Sequence, residues 1–236
     1  MVIERTTHIH EATGETFEST FVADQSAGTQ PGILLFPNFF GAKEWDYAKA
    51  ETLAAQGHKV LVVDFYGQGK RGTDMESSSK LLHDFMADRM VVKARLLAAL
   101  AELKALSGVD AARLGAIGFC AGGKCVLDLA RAGGDIKGGI SFHGVYDAPP
   151  FPNAAITAKL LICDGWNDNL CPPDAKVALC QELTEADVDF QFISYGRTGH
   201  GFTADNTPPS SAFGFQADTN RRSWKLALDF LEEALG

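Results

Sequence analysis

Arg113-Leu114-Gly115-Ala116-Ile117-Gly118-Phe119-Cys120-Ala121-Gly122-Gly123 is the stretch on which the fold turns. Residues 113–119 read as a short apolar strand and residues 121–131 as a helix, so Cys120 lies at a strand-to-helix junction in the frame G-x-C-x-G. A residue thrust out of so sharp a bend leaves no room for side chains two positions before and after it, and Gly118 and Gly122 supply none. The bend lifts the sulfur clear of the sheet edge. The N-terminus of the following helix carries partial positive charge, which favours a thiolate and any anionic intermediate formed beside it.

The same alternation runs outward in both directions. Ahead of the junction, residues 6–10 and 16–23 predict an antiparallel ribbon, Ile33-Leu34-Leu35-Phe36 a strand ending at Pro37, residues 43–56 a helix closed by Gly57, and residues 59–65 a strand. Val60-Leu61-Val62-Val63 has no polar interruption, which marks a strand covered on both faces. Residues 78–106 predict one long helix with Gly108 as its stop. Beyond the junction come strands at 137–143, 159–163 and 190–195, a Pro-rich loop at 147–152, and helices at 173–183 and 220–235. Strands alternating with helices of ten or more residues imply a mostly parallel sheet with helices on both faces, an α/β class, as one domain over residues 1–236. Residues 201–216, rich in Gly, Pro, Ser and Asn, read as a surface loop near the working face, and a lid is one role open to them.

Composition removes several function classes. Hydrophobic residues at 46% and charged residues at 22% exclude a disordered or fibrous chain. Lys plus Arg is 21 against 30 Asp plus Glu, a net charge of −9, so the basic footprint of a nucleic-acid binder is missing. No apolar run reaches the roughly 18 residues needed to span a bilayer. The opening residues show no signal-peptide pattern, and the expected compartment is the cytoplasm. The five cysteines form no CxxC pair, which argues against a disulfide framework or a zinc site. No His, Cys and Asp group has metal-ligand spacing, and no G-x-G-x-x-G follows a strand, so neither a metal nor a cofactor is expected.

A thiol nucleophile needs a base, and the base needs an orienting acid. In α/β-hydrolases these follow the nucleophile in the order acid, then histidine, on loops after later strands. Only His143 and His200 lie downstream of Cys120, and His200 stands in Thr198-Gly199-His200-Gly201-Phe202, just past a predicted strand. For the acid, Asp164-Gly165-Trp166-Asn167-Asp168 offers two carboxylates; Asp168 is preferred and Asp164 is the fallback.

These motifs resemble the dienelactone hydrolase family of α/β-hydrolases, and the resemblance covers nearly the whole chain. It is carried by Ala50–Gly57, Val63-Asp64-Phe65-Tyr66-Gly67, the Cys120 junction, Phe142-His143-Gly144, Gly165-Trp166-Asn167-Asp168 with Pro172, and Gly199-His200-Gly201-Phe202. It implies an α/β-hydrolase fold and a Cys120, Asp168, His200 triad. It also implies an oxyanion hole from the backbone N–H groups of Phe39 and Ala121. The chain departs from the pattern where dienelactone-cleaving members carry a glutamate, here Asn38, and where they carry arginines, here Gln68 and Ala204. Asn38 cannot take a proton from the thiol, so activation by His200 is expected instead. Without a guanidinium, a carboxylate-bearing substrate loses its strongest anchor; Lys70, Arg71 and Arg197 are the candidates to replace it.

The remaining substrate-contact candidates are Asn38, Tyr66, His143, Trp166 and Phe202, with Phe213 and Phe215 further along the same loop. The expected activity is cysteine-dependent hydrolysis of a small ester, lactone or thioester through a thioacyl intermediate, by a monomer or homodimer. Alternatives on the same triad are an acyltransferase or small peptidase, or a non-catalytic ligand-binding or redox-sensing pocket.

Overall fold

Ile33, Leu34, Leu35 and Phe36 are all completely buried, yet their side chains feed two different cores. Leu34 and Phe36 pack with Leu61, Ala116 and Ile162, while Ile33 and Leu35 pack with Val60, Val62, Ile117 and Ile140. The period of two along a strand sends successive side chains to opposite faces of one sheet. Each such side chain contributes about 1.5–3 kcal/mol by leaving water. A row with no polar interruption is therefore what a doubly covered strand needs.

The computed structural model describes every residue except Met1, Ala154, Ala155, Asn206, Pro209 and Ser211. Its elements in chain order are β1 (Ile3–Ala12), β2 (Glu15–Asp24), β3 (Gln30–Phe36), α1 (Glu44–Ala55), β4 (Lys59–Val62), α2 (Met75–Met86), α3 (Arg89–Ala105), β5 (Val109–Phe119), α4 (Ala121–Arg131), β6 (Gly138–Phe142), β7 (Lys159–Gly165), α5 (Pro173–Glu185), β8 (Phe190–Tyr195) and α6 (Ala217–Leu235). The sheet order is β1-β2-β4-β3-β5-β6-β7-β8. The ribbon β1–β2 is antiparallel and β2 joins β4 antiparallel; all later pairings are parallel. Residues of α1 and α6 fill one core, and residues of α3, α4 and α5 fill the other.

One expectation is corrected. Residues 78–106 do not form a single helix. The chain breaks after Met86, and Asp88 restarts it by accepting the N–H groups of Met90 at 2.9 Å and Val91 at 3.2 Å. Asp74 does the same for α2, accepting from Ser77 N–H at 2.8 Å. An aspartate that captures the unpaired donors of a first turn competes with continuation of the preceding helix.

Chain order reverses direction between β3 and β5, with β4 on one side of β3 and β5 on the other. The crevice at the carboxyl ends of such strands is where open α/β sheets place ligands. The segments after β3, β5, β6, β7 and β8 all leave the sheet at that edge. They carry Phe39, Cys120, His143, Asp168 and His200, respectively.

Candidate active site

The bend at Cys120 is as tight as its glycines suggested. A Cβ on Gly118 would lie 2.1 Å from the Gly122 carbonyl oxygen, and one on Gly122 would lie 2.1 Å from the Phe36 carbonyl oxygen. Cys120 itself has φ +56° and ψ −115°, a conformation most non-glycine residues avoid. It is held there from both sides: Cys120 N–H donates to the Phe142 carbonyl at 3.0 Å, and Lys124 N–H donates to the Cys120 carbonyl at 3.2 Å. The second bond makes Cys120 the N-cap of α4, so its sulfur lies at the positive end of that helix. Ala121 is the first residue of the helix, where backbone N–H groups have no intrahelical acceptor.

His200 and Asp168 come to this bend from two other loops. His200 Nδ1 lies 2.7 Å from Asp168 Oδ2, and both side chains are buried. Leu170 N–H donates to Asp168 Oδ1 at 2.8 Å, so the carboxylate is fixed at both oxygens. The opposite nitrogen of the ring, Nε2, is buried with no oxygen or nitrogen partner among the described residues. Burial alone would lower the His200 pKa. The charge and hydrogen bond of the Cys120 sulfur, together with Asp168, outweigh it and raise the pKa to about 10. Asp164, the fallback acid, is engaged elsewhere: it pairs with Lys176 at 2.6 Å and accepts from Tyr146 at 3.1 Å and Ser194 at 3.0 Å.

His143 follows β6 at φ +38° and is buried. Its Nε2 lies 2.8 Å from Thr203 Oγ1, and its ring stands edge-on to His200 with centroids 5.1 Å apart. Burial, and then the charge of His200, hold the His143 pKa well below its ordinary value. A neutral imidazole therefore stands beside a charged one.

Cys120, His143 and His200 open into one cavity of about 430 Å³, within the range of small-ligand sites. Asn38, Phe39 and Phe213 also line it. Three of the substrate-contact candidates do not. Tyr66 lies beneath the loop after β3, and its hydroxyl donates to the Phe39 carbonyl at 2.7 Å. Trp166 points to a separate groove with Lys176 and Val177. Phe202 is completely buried among Phe142, His143 and Tyr195. Phe215 lines a cleft with Trp45 and Lys49 rather than this cavity. In the loop at 201–216, residues 206, 209 and 211 lie outside the described residues. The loop folds back on His200, whose N–H donates to the Ala212 carbonyl and whose carbonyl accepts from Gly214 N–H, each at 2.8 Å.

Met75, Ser79 and Leu82 of α2 also line the cavity. The sequence reading did not anticipate them. Their i, i+4, i+7 spacing marks one helix face, yet nothing local says which face meets a cavity.

The model of the dienelactone hydrolase family matches residues 17–235. The chain belongs to the dienelactone hydrolase family. The solved structure of m3DLH is 31% identical, with a TM-score of 0.93 and all of both chains covered. P91, from metagenomic libraries and described as a dienelactone hydrolase-like promiscuous phosphotriesterase, is 27% identical with a TM-score of 0.91 over all of both chains. Carboxymethylenebutenolidase 2 of Cupriavidus pinatubonensis is 28% identical over 77% of each chain. This member of the family is accordingly a hydrolase of ester bonds with an α/β-hydrolase fold, acting on small molecules. Among the described residues no three His, Cys, Asp or Glu side chains could together hold a metal ion, and no helix is long and apolar enough to cross a membrane.

Proposed function

We propose that the protein is a cytoplasmic, cysteine-dependent hydrolase of small carboxylic esters, lactones or thioesters. The observation that carries this reading is the convergence of Cys120, a His200 that holds its proton through neutral pH, and an Asp168 locked onto that histidine. The Cys120 thiolate attacks the carbonyl carbon, and the carbonyl electron pair moves onto oxygen. The backbone N–H groups of Phe39 and Ala121 receive that oxyanion, each such donor typically being worth about 3 kcal/mol of barrier. The intermediate collapses to a thioester at Cys120, and the departing alkoxide takes the proton from His200. Neutral His200 then accepts a proton from water as the hydroxide oxygen adds to the thioester. Collapse releases the acid and restores the thiolate beside an imidazolium. Asp168 keeps the ring oriented throughout. The free thiols of all five cysteines suit a reducing compartment.

Asn38 takes no proton in this scheme. Its Oδ1 accepts from Phe40 N–H at 2.9 Å and its carbonyl accepts from Gly41 N–H at 2.9 Å, so it shapes the oxyanion loop. The decisive experiment is mass spectrometry of Cys120 after brief exposure to a p-nitrophenyl ester, paired with turnover by Cys120→Ser. An acyl mass on Cys120 and a loss of turnover of at least a hundredfold are expected. Undiminished turnover by the serine variant rejects the scheme.

The whole-chain likeness to P91 favours a second reading, hydrolysis of neutral phosphotriesters at the same thiol. A diethyl aryl phosphate should then leave a diethylphosphoryl group on Cys120, and an unmodified peptide would dismiss it.

A further inference from the structure

The wall of the Cys120 cavity contains no Asp, Glu, Lys or Arg among the described residues. The three undescribed residues of the neighbouring loop, Asn206, Pro209 and Ser211, carry no charge either. Arg71, one of the candidates to replace a carboxylate anchor, is already spent: it donates to the Ala42 carbonyl at 2.8 Å and pairs with buried Asp64 at 3.3 Å. Lys70 borders a different pocket, with Glu15 and Asp84. A substrate carboxylate entering this cavity would lose water and meet no cation except the His200 imidazolium, which is already held by Asp168 and, in the proposed resting state, faces the Cys120 thiolate.

The mouth of the cavity is apolar as well. Met75 is 61% exposed, Leu170 56% and Phe213 39%, and all three belong to its wall. They come from separate places: the first residue of α2, the loop that holds Asp168, and the segment bridged to His200. Phe213 is seated with its ring stacked on His200, centroids 5.7 Å apart. Large apolar side chains brought together at one opening, while remaining in water, are the signature of a surface built to be covered by an apolar partner.

We propose that the substrate carries an uncharged aliphatic chain that begins at the ester beside Cys120 and leaves the cavity across Met75, Leu170 and Phe213. The proposal rests on the hydrolase reading above and narrows it to neutral esters of medium chain length, away from carboxylate-bearing lactones. A buried methylene favours binding by roughly three- to fourfold, so the six extra methylenes of an eight-carbon chain, half covered at the rim, gain about thirty- to sixtyfold over a two-carbon one.

The test compares kcat/KM on three p-nitrophenyl esters: acetate, octanoate, and the octanedioic half-ester whose far end is a carboxylate. Octyl acetate against ethyl acetate reports whether the chain lies on the alcohol side instead. We expect an eight-carbon chain on one side or the other to raise kcat/KM about thirty- to sixtyfold. The terminal carboxylate should cost at least tenfold relative to octanoate. Met75→Lys, which places an ammonium at the mouth, should raise the ratio of half-ester to octanoate turnover at least fivefold. Equal rates on octanoate and its half-ester, or no gain from either long chain, overturn the proposal while leaving hydrolysis intact. If no ester acylates Cys120, the hydrolase reading itself falls, and this inference with it.

Discussion

The Tyr66 hydroxyl donates to the Phe39 carbonyl at 2.7 Å, while the N–H of the same peptide unit, from Phe40, donates to Asn38 Oδ1 at 2.9 Å. One peptide plane is thus clamped at both ends, and the adjoining peptide carries the Phe39 N–H proposed for the oxyanion hole. In the proposed mechanism Tyr66 acts as a positioning residue; its ring is held edge-on against Phe65 and Phe85. Removing its hydroxyl costs about 1 kcal/mol of hydrogen bonding. Tyr66→Phe should lower kcat about five- to tenfold with KM within twofold, and shift the melting temperature by only a few degrees. A change in KM alone would place Tyr66 in substrate contact instead.

His200 holds its proton until about pH 10 because the Cys120 sulfur and Asp168 outweigh its burial. Its folded pKa is raised, so the stability tied to this proton is fully present below the ordinary histidine value of about 6.5 and is lost as pH climbs through about 10. Alkylation of Cys120 by iodoacetamide, followed on its own peptide, should therefore stay within about threefold between pH 6 and pH 8. An ordinary thiol, near 8.5, would quicken by nearly a hundredfold from pH 6 to pH 8. His200→Ala should restore that steep dependence. A wild-type profile as steep as the variant's would refute the ion pair.

Asp46 offers a pH test of stability away from the cavity. Burial pushes its pKa to about 7, against the opposing pull of Lys49, of the Lys43 backbone N–H, of Arg71 and of the Lys43 side chain. The folded protein therefore holds this proton more tightly than the unfolded chain, whose carboxylate titrates near 3.9. The associated stability is present below about pH 4 and is lost as pH rises to about 7. Asp46→Asn can still accept from Lys43 N–H and should melt about 2–6 °C above the wild type at pH 8. The advantage should vanish below about pH 4, as scanning calorimetry at both pH values would show.

Gly122→Ala would set a methyl carbon 2.1 Å from the Phe36 carbonyl oxygen, a backbone atom that cannot step aside. A loss of more than about 3 kcal/mol of stability is expected, with Cys120 alkylation falling in whatever fraction still folds. Gly28→Ala, where nothing lies within 4 Å, is the matched control. Denaturant titration of the pair decides it.

The bend at Cys120 and the strand–helix alternation could be read along the chain because their causes are local. Gly118 answers to the Gly122 carbonyl four residues on, although Gly122 itself answers to Phe36 in another strand, and unbroken rows such as Val60–Val63 report burial on both faces. The order of Cys120, Asp168 and His200 was also legible, with Asp168 preferred to Asp164, but the packing that separates the two carboxylates was not. Both lie at the end of one strand, Asp164 within it and Asp168 just beyond, and three-dimensional packing gives Asp164 to Lys176, Tyr146 and Ser194 while Asp168 meets His200. Tyr66 and Trp166 end up outside the cavity because a strand-end side chain takes whichever direction its neighbours leave open. The uncharged wall and apolar mouth were out of reach for the same reason. Met75, Leu170 and Phe213 are far apart in sequence, and what makes them one surface is the meeting of three segments at a single sheet edge.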